Sequence, residues 1–249
     1  MQTIDLNCDM GEGMPNDEAL MKLISSANIA CGAHAGDKDT MKRTVSWAMK
    51  YGVAIGAHPS YPDRENFGRK DLLGSELNLQ QVERSVRMQI KKMLEICSEQ
   101  GCKLHHVKPH GALYNRAVKD QAMSECLARI IADFDTALVF YGLSGSIMAA
   151  AAKKFKLKFK HEVFADRRYA DDGSLLSRSL PGALLNQKQA LAQAIQMIIQ
   201  GNVTTVSGKV ISVFADTICV HGDGAHAIEI AESLREGLNS QKIRIGIAE

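Results

Sequence analysis

The sequence is poor in aromatic residues, at 5%, and in proline, with five in 249 residues. Scarce aromatics weaken any scheme in which bases or sugars stack on rings. An excess of one charge is missing as well: Lys plus Arg is 30, Asp plus Glu is 28, and the net charge is +2. That balance gives no ground for nucleic-acid or membrane-surface binding, and we expect neither. No run of about 18 apolar residues occurs, and no basic stretch followed by an apolar one opens the chain. We therefore expect a cytoplasmic protein. The six cysteines, Cys8, Cys31, Cys97, Cys102, Cys126 and Cys219, form no CxxC pair. This argues against a zinc knuckle or a redox dithiol and for reduced thiols. GxxxxGK(S/T) is missing, so a standard P-loop in this chain does not bind ATP. GxSxG is missing too, which sets aside a serine hydrolase of the α/β type.

What is present is an alternation. Short apolar runs lead into Gly/His/Asp clusters and then into helical patterns, which argues for β-α units on a parallel sheet. The runs begin at Thr3–Cys8, Ala27–Cys31, Val53–Ala57, Leu104–Val107, Ala137–Tyr141 and His161–Ala165, and end with Val210–Val213 and Ile218–Val220. The spacing predicts helices stopping at Gly52, starting at Asn78 with a capping box to Gln81, spanning Gln187–Gln200, and stopping near Gly237. Seven or eight strands follow from this count, the segment Asp171–Gly208 being ambiguous. The fold class is α/β, and a single (β/α) barrel over 1–249 fits the length. A Rossmann sheet would satisfy the same alternation, but no GxGxxG follows the first strand.

Ionisable residues gather where strands end. His34, His58, His106, His110, His221 and His226 lie there, with Asp9, Glu12, Asp37, Lys108, Asp166, Arg167 and Asp223. In a barrel those ends converge on one mouth, where active sites are built. Asp5, Asn7 and Asp9 alternate on the first strand and so share a face. Asp37 reads equally well as a helix cap. Lys108 beside His110 would either have a lowered pKa or pin an anion. HGDG at 221–224 opens the last helix and offers backbone N–H groups to an anion. Arg64 and Arg69 in one long loop, and Arg167 and Arg178 in another, suit a carboxylate or phosphate. No HExxH spacing supports a helix-borne zinc site.

DLNCDMGEG at 5–13, SANIACGAHAGD at 26–37 and GVAIGAHPSYPDRENFGR at 52–69 resemble the LamB/YcsF family. HVKPHGALYN at 106–115, EVFADRRYADDGSLLSR at 162–178 and CVHGDGAHA at 219–227 continue the match in order. The resemblance implies a distorted TIM-like barrel, similar to the glycoside hydrolase/deacetylase superfamily. It implies ATP-dependent hydrolytic opening of the 5-oxoproline (pyroglutamate) lactam to L-glutamate, with separate B and C subunits, and with ATP bound here or across subunits. Asp9, His58, Lys108 and His110 would then carry the catalysis, Asp9 or His58 being suited to the base. Glu12, His34, Asp37, Arg64, Arg69, Asp166, Arg167, Tyr169, Arg178, His221 and Asp223 would bind substrate or phosphate. Asp9, His34 and His58 match in placement the divalent-metal ligands of the superfamily's deacetylases, although the family motif assigns no metal. A metal-dependent amidohydrolase or deacetylase acting on a sugar or small amide is the alternative.

Overall fold

Along Thr3–Met10, strand β1, Ile4, Leu6, Cys8 and Met10 alternate with Asp5, Asn7 and Asp9. A period of two sends one set to each face. Asp5 and Asn7 are nonetheless as buried as the apolar set, because β1 belongs to a closed barrel. The computed structural model describes residues 2–178, 180–222 and 226–247. Its parallel strands β2 (Ser26–Ala30), β3 (Ala54–His58), β4 (His106–Val107), β5 (Val139–Leu143) and β6 (Lys158–Phe164) follow β1 in order. The strand Thr217–Val220 closes the ring by pairing with β6 on one side and β1 on the other.

The ring therefore has seven strands. Three further short strands lie outside it. Asn202–Thr204 (β7) and Val210–Ser212 (β8) form an antiparallel hairpin, so the run at Val210 is not a barrel strand; Thr217–Val220 is β9. Arg244–Ile245 (β10) only extends the pairing of Thr3 and Ile4.

Helices α1 (Asp17–Met21), α2 (Lys38–Tyr51) and α3 (Leu79–Glu99) alternate with the first strands. Helices α4 (Gly111–Ala117) and α5 (Gln121–Phe134) separate β4 from β5, and α6 (Met148–Lys154) separates β5 from β6. Helices α7 (Gln187–Gln200) and α8 (Ala227–Ser240) complete the layer. Their boundaries have local causes. Asn78 accepts from Gln81 N–H while the Gln81 side chain accepts from Asn78 N–H, the reciprocal cap that starts α3. Asn186 and Gln189 do the same for α7. Gly52 ends α2 at φ +68°, a conformation that costs glycine little. Helix α8 runs past Gly237 to Ser240. Among the described residues no helix is long and apolar enough to cross a membrane.

The barrel interior is polar and hydrogen-bonded. Asp5 accepts from Ser26 Oγ at 2.8 Å, Thr217 Oγ1 at 2.6 Å and Tyr141 OH at 3.0 Å. Asn28 donates to Asn7 Oδ1 and Asp9 Oδ1, both at 2.8 Å, and its own Oδ1 lies 2.8 Å from His106 Nε2. Burial without such partners would cost several kcal/mol per group. Gly56 makes room for His106: a Cβ there would lie 2.1 Å from Nε2. Gly56→Ala should displace His106 and break its bond to Asn28, costing about 3 kcal/mol or more. Urea unfolding checks this; an unchanged midpoint contradicts the packing.

Candidate active site

Strands β3 and β4 each run into a proline, His58-Pro59 and Lys108-Pro109, and their pairing persists past the strand ends. Lys108 N–H donates to Ala57 O at 3.0 Å, and His110 N–H to Pro59 O at 2.8 Å. The extended backbone before each proline turns His58, Lys108 and His110 toward the barrel mouth. A cavity of about 680 Å³ opens there. Asp9, Glu12, His58, Lys108, His110 and His221 line its inner part, and Arg69, Lys119, Arg167 and Arg178 also line it.

Lys108 is buried beneath this floor. Its Nζ lies 2.7 Å from Glu162 Oε1, 3.0 Å from Asp9 Oδ1, 3.2 Å from Asn7 Oδ1 and 3.2 Å from Cys219 Sγ. Burial pulls its pKa down, but Asp9, Cys219 and Glu162 outweigh that and hold the ammonium well above its ordinary range. Of the two alternatives for Lys108, a lowered pKa and an anion-pinning charge, the first does not hold, and Lys108 is no neutral base. Burial raises the Asp9 pKa, yet His58 and Lys108 more than compensate and hold the carboxylate well below its usual range. A carboxylate so stabilised is a weak base and a good charge partner.

His221 has a different arrangement. Its Nδ1 lies 2.9 Å from Asp166 Oδ2. The buried Asp166 carboxyl is raised by burial but lowered overall by His221 and then by Arg178 and Arg167. A carboxylate at Nδ1 fixes that nitrogen as N–H and leaves Nε2 as the lone pair. Asp166 therefore orients a histidine of the cavity. The base candidate that geometry favours is His221, where sequence reasoning favoured Asp9 or His58.

His34, His58 and His110 form a second cluster. His34 and His110 stack with ring centroids 3.8 Å apart, and His34 Nε2 lies 3.0 Å from Glu12 Oε1. Burial, then His58, pulls the His34 pKa down to about 3. Among the described residues three donor sets lie close enough to share a metal ion: Asp9/His58/His110, Glu12/His34/His110 and Asp9/Cys219/His221. The expected triad of Asp9, His34 and His58 is not one of them; His110 joins the first two.

Of the other candidates, Arg167 lines the cavity and several lie elsewhere. Asp37 is exposed and accepts from Thr40 N–H at 2.8 Å, so it caps α2 and does not line the cavity. Arg64 donates to the carbonyls of Gly32 and Gly36 at 3.0 and 2.8 Å, bracing a loop outside the cavity. Tyr169 is buried, and its oxygen accepts from Phe164 N–H at 2.7 Å, a strut and not a cavity residue. Arg167 donates to Leu176 O and thereby ties the 168–178 segment over the cavity. His106 lies inside the barrel, and His226 is exposed at the start of α8. Asp223 lies outside the described residues, though Gly222 of the same motif lines the cavity. Sequence reasoning missed Glu162, which also accepts from Tyr114 OH at 2.8 Å. Its signal was a lone acid within a buried strand end, Glu162–Phe164.

Comparison with known proteins gives a consistent result. A sequence model of the LamB/YcsF family matches residues 4–249. The chain is 46% identical over 246 residues to the 5-oxoprolinase A subunit of Neisseria meningitidis serogroup C (strain 053442), covering 98% of this chain and 99% of that one. It resembles the crystal structure of a lactam utilization protein from Thermus thermophilus, with a TM-score of 0.91, 34% identity and coverage of 99% and 100%. A family 4 carbohydrate esterase from Streptomyces lividans in complex with acetate shares the fold alone, with a TM-score of 0.51, 10% identity and coverage of 100% and 93%.

The burial of His34 has a consequence for acid stability. The unfolded residue takes up a proton as pH falls through about 6.5, whereas the folded one stays neutral down to about 3. Across that window the unfolded state binds more protons, so stability falls as pH falls, by about 1.4 kcal/mol per pH unit for each such group. His34→Gln should flatten the slope of unfolding free energy between pH 6 and about 4.5 by roughly that amount. Equal slopes in the two proteins, measured by urea titration, contradict the assignment.

Proposed function

The chain belongs to the LamB/YcsF family, and we propose that it is the A subunit of an ATP-hydrolysing 5-oxoprolinase. In this reading it acts in the cytoplasm with subunits B and C to open 5-oxo-L-proline (pyroglutamate) to L-glutamate. Beside the relatives' name, the observation that supports the reading is the chemistry of one cavity. Arg69, Lys119, Arg167 and Arg178 line it together with the carboxylates and histidines of the floor. The substrate is a small carboxylate whose amide must be activated, and guanidinium groups match carboxylate and phosphoryl oxygens in geometry and charge. The alternative, a stand-alone metal-dependent deacetylase, has only a likeness of fold behind it.

The lactam is a stable amide, so phosphorylation of its oxygen by ATP supplies the driving force. Water adds to C5 of the phosphorylated ring, and the C5–N bond breaks as the ring nitrogen takes a proton. The resulting acyl phosphate is hydrolysed by a second water, so that lactam, ATP and two waters become glutamate, ADP and phosphate. His221 suits the proton transfers: with Nδ1–H held by Asp166, its Nε2 takes a proton from water and returns one to the leaving nitrogen. The arginines hold the substrate carboxylate and the developing phosphoryl charge. Lys108 and Asp9 fix the electrostatics of the floor and pass no proton. The chain has no P-loop, so ATP meets these cavity cations or a site completed by a partner chain.

Glutamate release dependent on ATP and 5-oxoproline, assayed with this chain alone and then with subunits B and C, tests the reading. Release is expected in the complete mixture only. His221→Gln or Asp166→Asn should lower its turnover by about 100-fold or more while leaving the thermal midpoint near that of the parent. Full turnover in His221→Gln removes the base assignment, and silence of the complete mixture removes the lactam reading.

A further inference from the structure

The inward positions at the barrel mouth differ from strand to strand. They carry Asp9 on β1 and His58 on β3, with Lys108 and His221 just past β4 and β9. On β5 and β6, which are neighbours in the ring, they carry Leu143 and Phe164 instead. Leu143 lies two residues beyond Tyr141, whose hydroxyl reaches Asp5 inside the barrel. Phe164 lies two beyond Glu162, which meets Lys108 there. A period of two keeps both side chains on the inward face. The cavity therefore has one apolar sector, which Ala112, Leu175 and Leu176 extend. Oxyanions gain nothing from such a surface, because burial against it costs them hydration. The sector matches the hydrocarbon part of a ligand.

Phe164 is the part of this sector that reaches the polar floor. Its ring centroid lies 5.6 Å from that of His221, with the two planes 19° apart, and 5.6 Å from Lys108 Nζ. Tyr114 meets the same ring edge-on at 6.1 Å. The residue is held on both sides of its backbone. Its N–H donates to Tyr169 OH at 2.7 Å, and its carbonyl accepts from Gln193 Nε2 at 2.9 Å. With its ring 4% exposed and packed on these neighbours, the wall beside His221 has little room to give.

We propose that Phe164 is a specificity-determining residue, which sets the ring size of the lactam that the cavity opens. The inference rests on the lactam reading. With the amide at His221 Nε2 and the carboxylate on the arginines, what is left of a five-membered lactam is its pair of methylenes, C3 and C4. These face the Phe164 ring and Leu143. A six-membered lactam carries one methylene more on that side, and against a packed wall the larger ring is pushed away from His221. One methylene in an apolar pocket is worth about 10- to 200-fold in kcat/KM.

The complete mixture of this chain with subunits B and C is assayed with ATP and either 5-oxoproline or its six-membered homologue, 6-oxopiperidine-2-carboxylate, which opens to 2-aminoadipate. The parent should favour the five-membered ring by about 10-fold or more in kcat/KM. Phe164→Leu keeps the wall apolar and removes the ring. It should reduce that preference by about 10-fold or more, by raising kcat/KM for the larger lactam. For 5-oxoproline it should raise KM and leave kcat near that of the parent, the mark of a lost binding contact. A parent that opens both lactams equally well, or a preference unchanged in Phe164→Leu, overturns the assignment and leaves the lactam reading standing. A parent mixture that opens neither lactam removes both. The unmutated protein gives a second readout that needs no variant to fold. Phe164 is the only phenylalanine among the described residues that line the cavity. With ring-labelled phenylalanine in this chain and ATP left out, nuclear Overhauser contacts to the methylenes of bound 5-oxoproline are expected. Saturable binding without such a contact overturns the assignment equally.

Discussion

The Lys108 ammonium, closed in a barrel with carboxylates on two sides, is the constraint from which the site follows. It joins β1 through Asp9 and Asn7, β6 through Glu162 and β9 through Cys219. Removing one member of such a buried pair leaves an uncompensated charge, at a cost of about 3–5 kcal/mol. The strands around the mouth are therefore fixed relative to one another by charge as well as by the ladder. The same residue acts through its backbone, since its carbonyl sets the tautomer of His58. One position thus determines both the charge of the floor and the direction in which a histidine presents its lone pair.

A polar barrel interior is costly unless every group is paired, and the pairing here has layers. Asp5 is satisfied by hydroxyls from β2, β5 and β9. Above it Asn7, Asn28 and His106 exchange bonds, and above them come Asp9 and Lys108. Each layer restricts the next, so Asp9 is positioned by a column reaching down the barrel. The apolar requirement is met outside the ring, where Ile4, Leu6, Cys8 and Met10 pack into the buried core. This division lets the interior carry chemistry without emptying the core.

Much of the architecture was legible in the sequence. Periodicity and caps located α7 and the starts of α2 and α3, because those signals are local. The convergence of Asp9, His58, Lys108, His110 and His221 on one cavity followed from strand ends in a barrel. What could not be read depended on partners distant in sequence. The apolar run at Val210 looks like a barrel strand, since alternation cannot distinguish a hairpin from a ring. The Lys108 ammonium is held charged by Asp9, Cys219 and Glu162, each far from it along the chain. Asp37, Arg64 and Tyr169 share motifs with site residues, but their side chains brace backbone instead. A motif marks a stretch of chain, and a stretch contains both kinds.

The two histidine systems of the cavity differ in what holds them, and that difference bears on what each can do. The Nδ1 of His221 rests on a carboxylate, which holds that nitrogen as N–H and leaves Nε2 as the lone pair. The outer nitrogens of His58 and His110 rest on neutral carbonyls, which fix the tautomer without contributing a charge, and His110 is kept neutral by burial. The His110 ring, with its N–H turned outward to a carbonyl, presents a lone pair inward. The cavity thus carries a histidine braced by a carboxylate on the β9 side and histidines braced by backbone carbonyls on the β3–β4 side. Asp9 lies between them, paired with Lys108 and within 3.4 Å of His58, so a change of charge at either system is felt at the other through one carboxylate.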